Sequence, residues 1–186
     1  MSVQKILMIA GLSTVPLWAH ATTYDQLVTE GSHINFQYQQ MGVKLKGEFP
    51  SFQGQLKFDT EAPNEASIKL DVPLEDTDTG SRDGNEEVVK SEWLDVAAHP
   101  VATFTSTRIQ ETSPNHFTVQ GELSIKGHSH EVEFPATFAE QDGLAVFEGE
   151  FSIKRGDYSI GEGAWAADDI VASEVTIQFH ILADSQ

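Results

Sequence analysis

The 186-residue chain contains no cysteine, which excludes disulfides and thiolate chemistry and leaves no residue for a Cys-linked lipid anchor. Long apolar runs are also lacking. After residue 21 no segment approaches the roughly 20 consecutive apolar residues that a membrane-crossing helix needs. Positive charge is the third shortage: 11 Lys and Arg stand against 29 Asp and Glu, a formal net charge of −18. A surface of that sign repels nucleic acid and anionic lipid headgroups; it serves solubility, or docking to a basic partner. No strand-turn-helix nucleophile elbow is present. Gly161-Glu162-Gly163 lacks the following Gly of a phosphate-cradling loop and places an acid where the phosphate would sit.

The first 21 residues have the layout of a removable leader. Lys5 gives a positive start, Ile6 to Val15 are apolar, Pro16 breaks the run, and Ala19-His20-Ala21 has the small-x-small spacing of a cleavage site. The chain is therefore expected to lose residues 1–21 as a secretory signal peptide. Residues 22–186 are then expected as one soluble domain in the periplasm. Removal takes away one Lys and no acid, so the remaining net charge is near −19.

What the rest of the chain has in abundance is alternation. Ile34, Phe36 and Tyr38 interleave with Asn35, Gln37 and Gln39. The pattern returns at Val43-Leu45-Gly47-Phe49, Phe117-Val119-Gly121-Leu123-Ile125, Ala145-Phe147-Gly149-Phe151-Ile153 and Val175-Ile177-Phe179-Ile181. A period of two means strands with one buried and one wet face. Strands are expected near 32–40, 43–49, 52–59, 65–74, 101–109, 116–126, 130–140, 143–154 and 171–182. Turn residues such as Met41-Gly42, Gly127-His128 and Asp142-Gly143 separate them. So many half-buried strands in one domain predict an all-β fold, a single antiparallel barrel of about eight strands.

Two stretches break the rhythm. Residues 75–100 form a polar loop and a short helix, with Asp83 at the expected N-cap, Glu86 three residues on, and Val89 and Trp93 on one side. Residues 155–170 carry three glycines and Trp165, the composition of a loop folded over a barrel mouth. Either Trp could be a structural plug over exposed core.

Candidates for chemistry are few. His128-Ser129-His130 could bring two imidazoles to one face, but no third ligand is near in sequence, so no metal site is assigned. Asp168-Asp169 and Glu86-Glu87 are expected as solvated charges rather than a catalytic dyad. Arg108 and Glu148 would serve catalysis only if the strand register put them inside. That leaves the interior, where most of the 11 phenylalanines fall. Gly47, Gly54, Gly121 and Gly149 share their phase. These glycines either relieve crowding at bent strands or open a channel, and their coincidence with the aromatics favours the channel. The expected ligand-lining residues are Phe36, Phe49, Phe104, Phe117, Gly121, Phe147 and Gly149, with Arg155, Tyr158 and Trp165 at the mouth.

Several segments resemble the YceI-like polyisoprenoid-binding proteins. They are Ser32-His33-Ile34-Asn35-Phe36 with Val43 to Gly54, and Trp93-Leu94-Asp95 followed by His99 to Ser106. Gly121 to His130 is similar to the family's G-x-L-T-I-K-G hairpin, and Phe151 to Gly161 to its late F-x-I-x-R-x-D-[FY]-x-[IV]-G signature. The resemblance runs over residues 30–183. It departs at Ser129 and His130, where the family often has Thr and a basic residue, and at Ser159, which replaces a frequent Gly. It implies a lipocalin-like barrel that binds a long isoprenoid chain, a quinone or polyprenyl lipid, as a non-catalytic carrier without a cofactor. Its Trp-x-Asp and Gly-x-Gly-x-Trp variants imply a membrane b-type cytochrome as a partner. An enzyme acting on such a lipid, and a filled barrel docking a basic partner, are the alternatives. The oligomeric state stays open, a dimer included.

Overall fold

The computed structural model describes residues 21–185, so the expected signal segment, Ala21 apart, lies outside the described residues. Nine strands form: β1 Thr23–Gln40, β2 Val43–Phe49, β3 Gln53–Asp59, β4 Ser67–Pro73, β5 Val101–Ser113, β6 His116–Ile125, β7 His128–Gln141, β8 Leu144–Lys154 and β9 Glu174–Ser185. All adjacent pairs are antiparallel, and β9 returns to β1, which closes the sheet. β2 pairs with Ile34–Gln40 of β1 while β3 pairs with Thr23 and Tyr24 of the same strand. The two are halves of one stave, broken at Pro50, which has no N–H to carry the ladder on. The wall is thus an eight-stranded closed barrel with one extra strand. One helix, α1 Arg82–Val88, lies in the β4–β5 connection, and no helix among the described residues is long and apolar enough to cross a membrane.

β1 begins at Thr23 rather than near residue 32. Its register against β9 shifts between Tyr24 and Gln26 and again between Val28 and His33. Each bulge resets which side chains face inward, so the first half shows no readable period of two. The second shift falls at Gly31, whose φ of 85° belongs to the left-handed region. β9 begins at Glu174 rather than at 171, because Val171 makes only an isolated bridge to Gln40.

The two ends of the barrel differ. At one end Phe58 packs against Phe138, Phe147 and Phe117 with ring centroids 4.7, 5.1 and 5.7 Å apart. Tyr24 completes this floor, and its hydroxyl donates to Glu140 at 3.0 Å. Burial, then Glu140, raises the phenol above its usual pKa of 10 and keeps it neutral. The opposite end carries the β1–β2 hairpin, the 74–100 connection and the 155–173 loop. This is the mouth.

Three further sequence expectations need correction. The N-cap of α1 is Ser81, whose Oγ accepts from Gly84 N at 3.1 Å, not Asp83. Because α1 ends at Val88, Val89 and Trp93 do not share a helix face: Val89 lies on an outer groove and Trp93 on the interior. The inward glycines do not open the channel either. Gly47 stands opposite Phe36, and Gly149 opposite Phe179. A Cβ at Gly121 would lie 2.5 Å from Phe104 Cζ, and one at Gly149 2.5 Å from Phe179 Cζ. At Gly47, Gly121 and Gly149 the missing side chain is replaced by a neighbour's ring, the arrangement in which an aromatic covers a strand glycine, whereas Gly54 is exposed and a Cβ there would meet the β4 backbone.

Candidate ligand-binding site

The interior still holds space, in two adjoining chambers. The inner one, about 150 Å³, sits above the floor. It is walled by Ile34, Leu56, Phe104, Phe117, Phe147 and other apolar side chains; Lys57, Ser67 and Thr103 border it but present next to no polar surface. Phe134 anchors this wall, stacked on Phe151 at 4.6 Å and tilted against Phe104 at 5.5 Å. An apolar cavity of about this size stays dry and accepts an aromatic-sized guest. The outer chamber, about 420 Å³, lies under the mouth and falls within the roughly 300–1,000 Å³ of small-molecule sites. Phe49, Ala102, Ile125 and Ile177 line both, so the two adjoin along the barrel axis.

The mouth is built around a buried cation. Arg155 directly follows β8 and is 3% exposed. Its Nε donates to Ala172 O (3.2 Å), and Nη1 donates to Ile160 O (2.9 Å) and Gly161 O (3.0 Å). Nη2 donates to Trp165 O (2.8 Å), Val171 O (2.9 Å), Ala167 O (3.2 Å) and, at 3.3 Å, Asp168 Oδ1. A guanidinium has five N–H donors, and every one is taken by the loop it supports. Gly161 makes this possible: its φ is 78°, and a Cβ there would sit 2.3 Å from Arg155 Nη1. Of the loop's three glycines, Gly161 is the one that the arginine beneath it requires; a Cβ at Gly156 or Gly163 would meet nothing within 4 Å. Ser159 holds φ 54°, where the resemblance places a frequent Gly.

Further ties fix the loop to the barrel. Lys126, at the β6–β7 turn, donates to Ser159 O (2.7 Å) and Glu162 (2.8 Å). His130 Nε2 meets Asp157 O at 2.8 Å, which ties this imidazole to the loop. Among the described residues no three His, Asp or Glu side chains are grouped to hold an ion. Glu92 O accepts from both Gly161 N and Glu162 N at 2.8 Å, which joins the two insertions. Above them Trp93 and Trp165 pack at 5.5 Å, and the guanidinium lies 6.0 Å from the Trp93 ring.

Of the residues singled out from sequence, Phe104, Phe117 and Phe147 line the inner chamber, Phe36, Arg155 and Trp165 the outer, and Phe49 both. Gly121 and Gly149 line neither, being covered by Phe104 and Phe179. Tyr158 is 2% exposed and lines neither; it packs edge-on against His130 at 5.0 Å. Burial, then Asp157, raises its pKa. Sequence reasoning passed over Phe134, Phe151 and Phe179, which lay on the same inward phase as those chosen. It also passed over Thr77 and Thr79, two buried polar residues of the 74–100 connection that line the outer chamber. Arg108 and Glu148 are exposed, Glu148 paired with His180 Nδ1 at 2.8 Å on the outer wall. The register that would put them inside does not occur.

Comparison with known proteins agrees with this architecture. A UPF0312 protein of Azotobacter vinelandii is 28% identical over 158 residues, 80% of this chain and 82% of the relative. The YceI protein of Salmonella arizonae is 30% identical over 140 residues, 70% of this chain and 73% of its own. Among solved structures, Burkholderia cenocepacia BcnA superposes with a TM-score of 0.82 at 33% identity, over 85% of this chain and 99% of that one. A polyisoprenoid binding domain from Saccharophagus degradans shares the fold, with a TM-score of 0.66 at 15% identity over 90% of this chain and all of the other. The YceI-like domain model matches residues 26–183. With that match spanning most of the barrel, and four sequence signatures in order along it, this chain belongs to the YceI-like domain family.

Proposed function

We propose that this protein is an exported, non-catalytic carrier that holds one long isoprenoid lipid inside its barrel, tail toward the floor and head under the mouth. The observation that carries this reading is the pair of adjoining chambers, one with almost wholly apolar walls and one with polar groups at its rim. Such a gradient fits a hydrocarbon chain ending in a small polar head. Each methylene buried there contributes about 0.8 kcal/mol, so a long tail binds tightly without an ionic contact. The Saccharophagus degradans protein of the same fold, described as a polyisoprenoid binding domain, points to the same ligand class. A neutral quinone suits the mouth better than a pyrophosphate: the donors of Arg155 are occupied, and Asp83 and Glu87 line the outer chamber. A non-catalytic role fits the outward placement of Arg108 and Glu148. A membrane b-type cytochrome is the partner such a carrier would serve.

The test is to purify the protein from the periplasm of its own host and analyse it by native mass spectrometry and solvent extraction. A chain beginning near Thr22 with a co-purifying isoprenoid lipid is expected. Full-length chain in the membrane fraction refutes the export, and repeated preparations free of lipid refute the carrier.

A further inference from the structure

The polar groups around the outer chamber are nearly all accounted for. Thr77 Oγ1 donates to Leu74 O at 2.8 Å, Thr79 Oγ1 to Asn85 Oδ1 at 2.7 Å, and Tyr38 OH to Thr79 O at 3.0 Å. Arg155 is saturated by the loop. One buried donor is left over. Trp93 lines the outer chamber, and its Nε1–H has no partner although less than 1 Å² of the nitrogen is accessible; it is the one such buried side-chain atom among the described residues. A buried donor without an acceptor is disfavoured by about 1–3 kcal/mol, and each such group in a folded protein calls for an explanation. No hydrogen bond fixes the indole, whose neighbours are the Trp165 ring and the Arg155 guanidinium. Turning the indole to present its N–H to a guest therefore breaks no hydrogen bond.

We infer that Trp93 is the residue that recognises the ligand's head, donating its indole N–H to a neutral oxygen acceptor, a carbonyl or hydroxyl. This rests on the carrier reading and specifies the chemistry at its mouth. A bare hydrocarbon filling the chambers leaves the donor unmet. A phosphate finds no free cation, and faces Asp83 and Glu87. Selectivity for an oxygen-bearing neutral head thus comes from one neutral donor rather than from charge.

The experiment measures binding of three probes of matched tail length to wild type and Trp93→Phe: an isoprenoid quinone, a polyprenol and an isoprenoid hydrocarbon. The substitution keeps an aromatic ring and removes the N–H. Affinity for the quinone or the polyprenol, whichever wild type prefers, should fall about tenfold, as expected for loss of one hydrogen bond of roughly 1.4 kcal/mol. Affinity for the hydrocarbon should stay within about twofold. A second readout does not depend on the variant folding. After loss of residues 1–21 the chain has two tryptophans, Trp93 and Trp165, hence two indole N–H resonances. One, assigned with Trp165→Phe, should shift downfield on binding the oxygen-bearing probe and not on binding the hydrocarbon. Equal losses for all three probes would make Trp93 a packing residue and overturn the inference, as would an unmoved Trp93 resonance. If wild type binds none of the probes, the carrier reading fails and this inference with it.

Discussion

Replacing Arg155 by Met should open the mouth while leaving the barrel folded. The guanidinium donates to the carbonyls of Ile160, Gly161, Trp165, Val171 and Ala172 at 2.8–3.2 Å. Each bond to a charged donor contributes about 1.5–3 kcal/mol net. Desolvating so buried a cation takes back several kcal/mol, and the freed carbonyls recover water once the rim opens. About 3–5 kcal/mol remains, the scale on which removing one partner of a buried charged cluster is felt. The loss should be local, because β8 and β9 stay paired from Lys154↔Glu174 downward without the loop. Hydrogen exchange reads it directly. The amides of Gly161 and Glu162, which bond Glu92 O, and of Ala172, which bonds Gln39 O, should exchange about 10²- to 10³-fold faster. Amides in the centre of β6 and β7 should be unchanged. Arg155→Lys should recover little, since one ammonium cannot span five carbonyls in a plane. If Arg155→Met leaves the loop amides as protected as in wild type, the reasoning is wrong.

Three further outcomes are expected. Gly121→Ala should lower stability by about 1–3 kcal/mol in a denaturant titration, because its Cβ meets Phe104 Cζ at 2.5 Å and the Thr105 carbonyl at 2.6 Å; a neutral result would restore the open-channel reading. A neutral isoprenoid quinone should outcompete the matched polyprenyl pyrophosphate with little dependence on salt, whereas a pyrophosphate that wins and weakens steeply with salt would relocate the head to a cationic site. Hydrogen bonds from Gly80 N and then Asn85 hold the Asp78 carboxyl below its usual pKa of 3.8. This lowered value makes its contribution to the mouth fully present above pH 3.8 and lost as pH falls through the folded-state value. The Gly80 amide should therefore stay protected at pH 4 and lose protection only below it; loss already at pH 5 would contradict the assignment.

The alternation of β2, β6, β8 and β9 was legible because one face of each is wet and no bulge interrupts it. Asp142-Gly143 marked its hairpin for the same local reason, both residues holding positive φ. What stayed hidden depends on partners. Gly121 stands opposite Ser106 and is covered by Phe104, a diagonal neighbour placed by the β5–β6 register that sets Phe104 opposite Leu123. No pattern within β6 announces that ring. Arg155 was visible as a cation beside the glycine-rich loop; that it supports the loop rather than meeting a headgroup depends on carbonyls up to 17 residues away. Trp93 was noticed as a plug, but an unmet N–H is a property of its surroundings, not of the residue.

The seam between β1 and β9 has a consequence in time. It joins Tyr24 to Ser185 and Phe36 to Ile177, residues more than a hundred positions apart, so the cylinder cannot close until nearly the whole chain has been made. Contacts this distant in sequence form late and slowly. Until then β1 and β9 are open edges and the phenylalanines of both chambers face solvent on a half-built sheet. A chain cut before Glu174 should therefore hold no lipid at all rather than less of it. The cargo is expected to be taken up at or after the last step of folding, by a molecule that is most prone to aggregate in the moment before it closes.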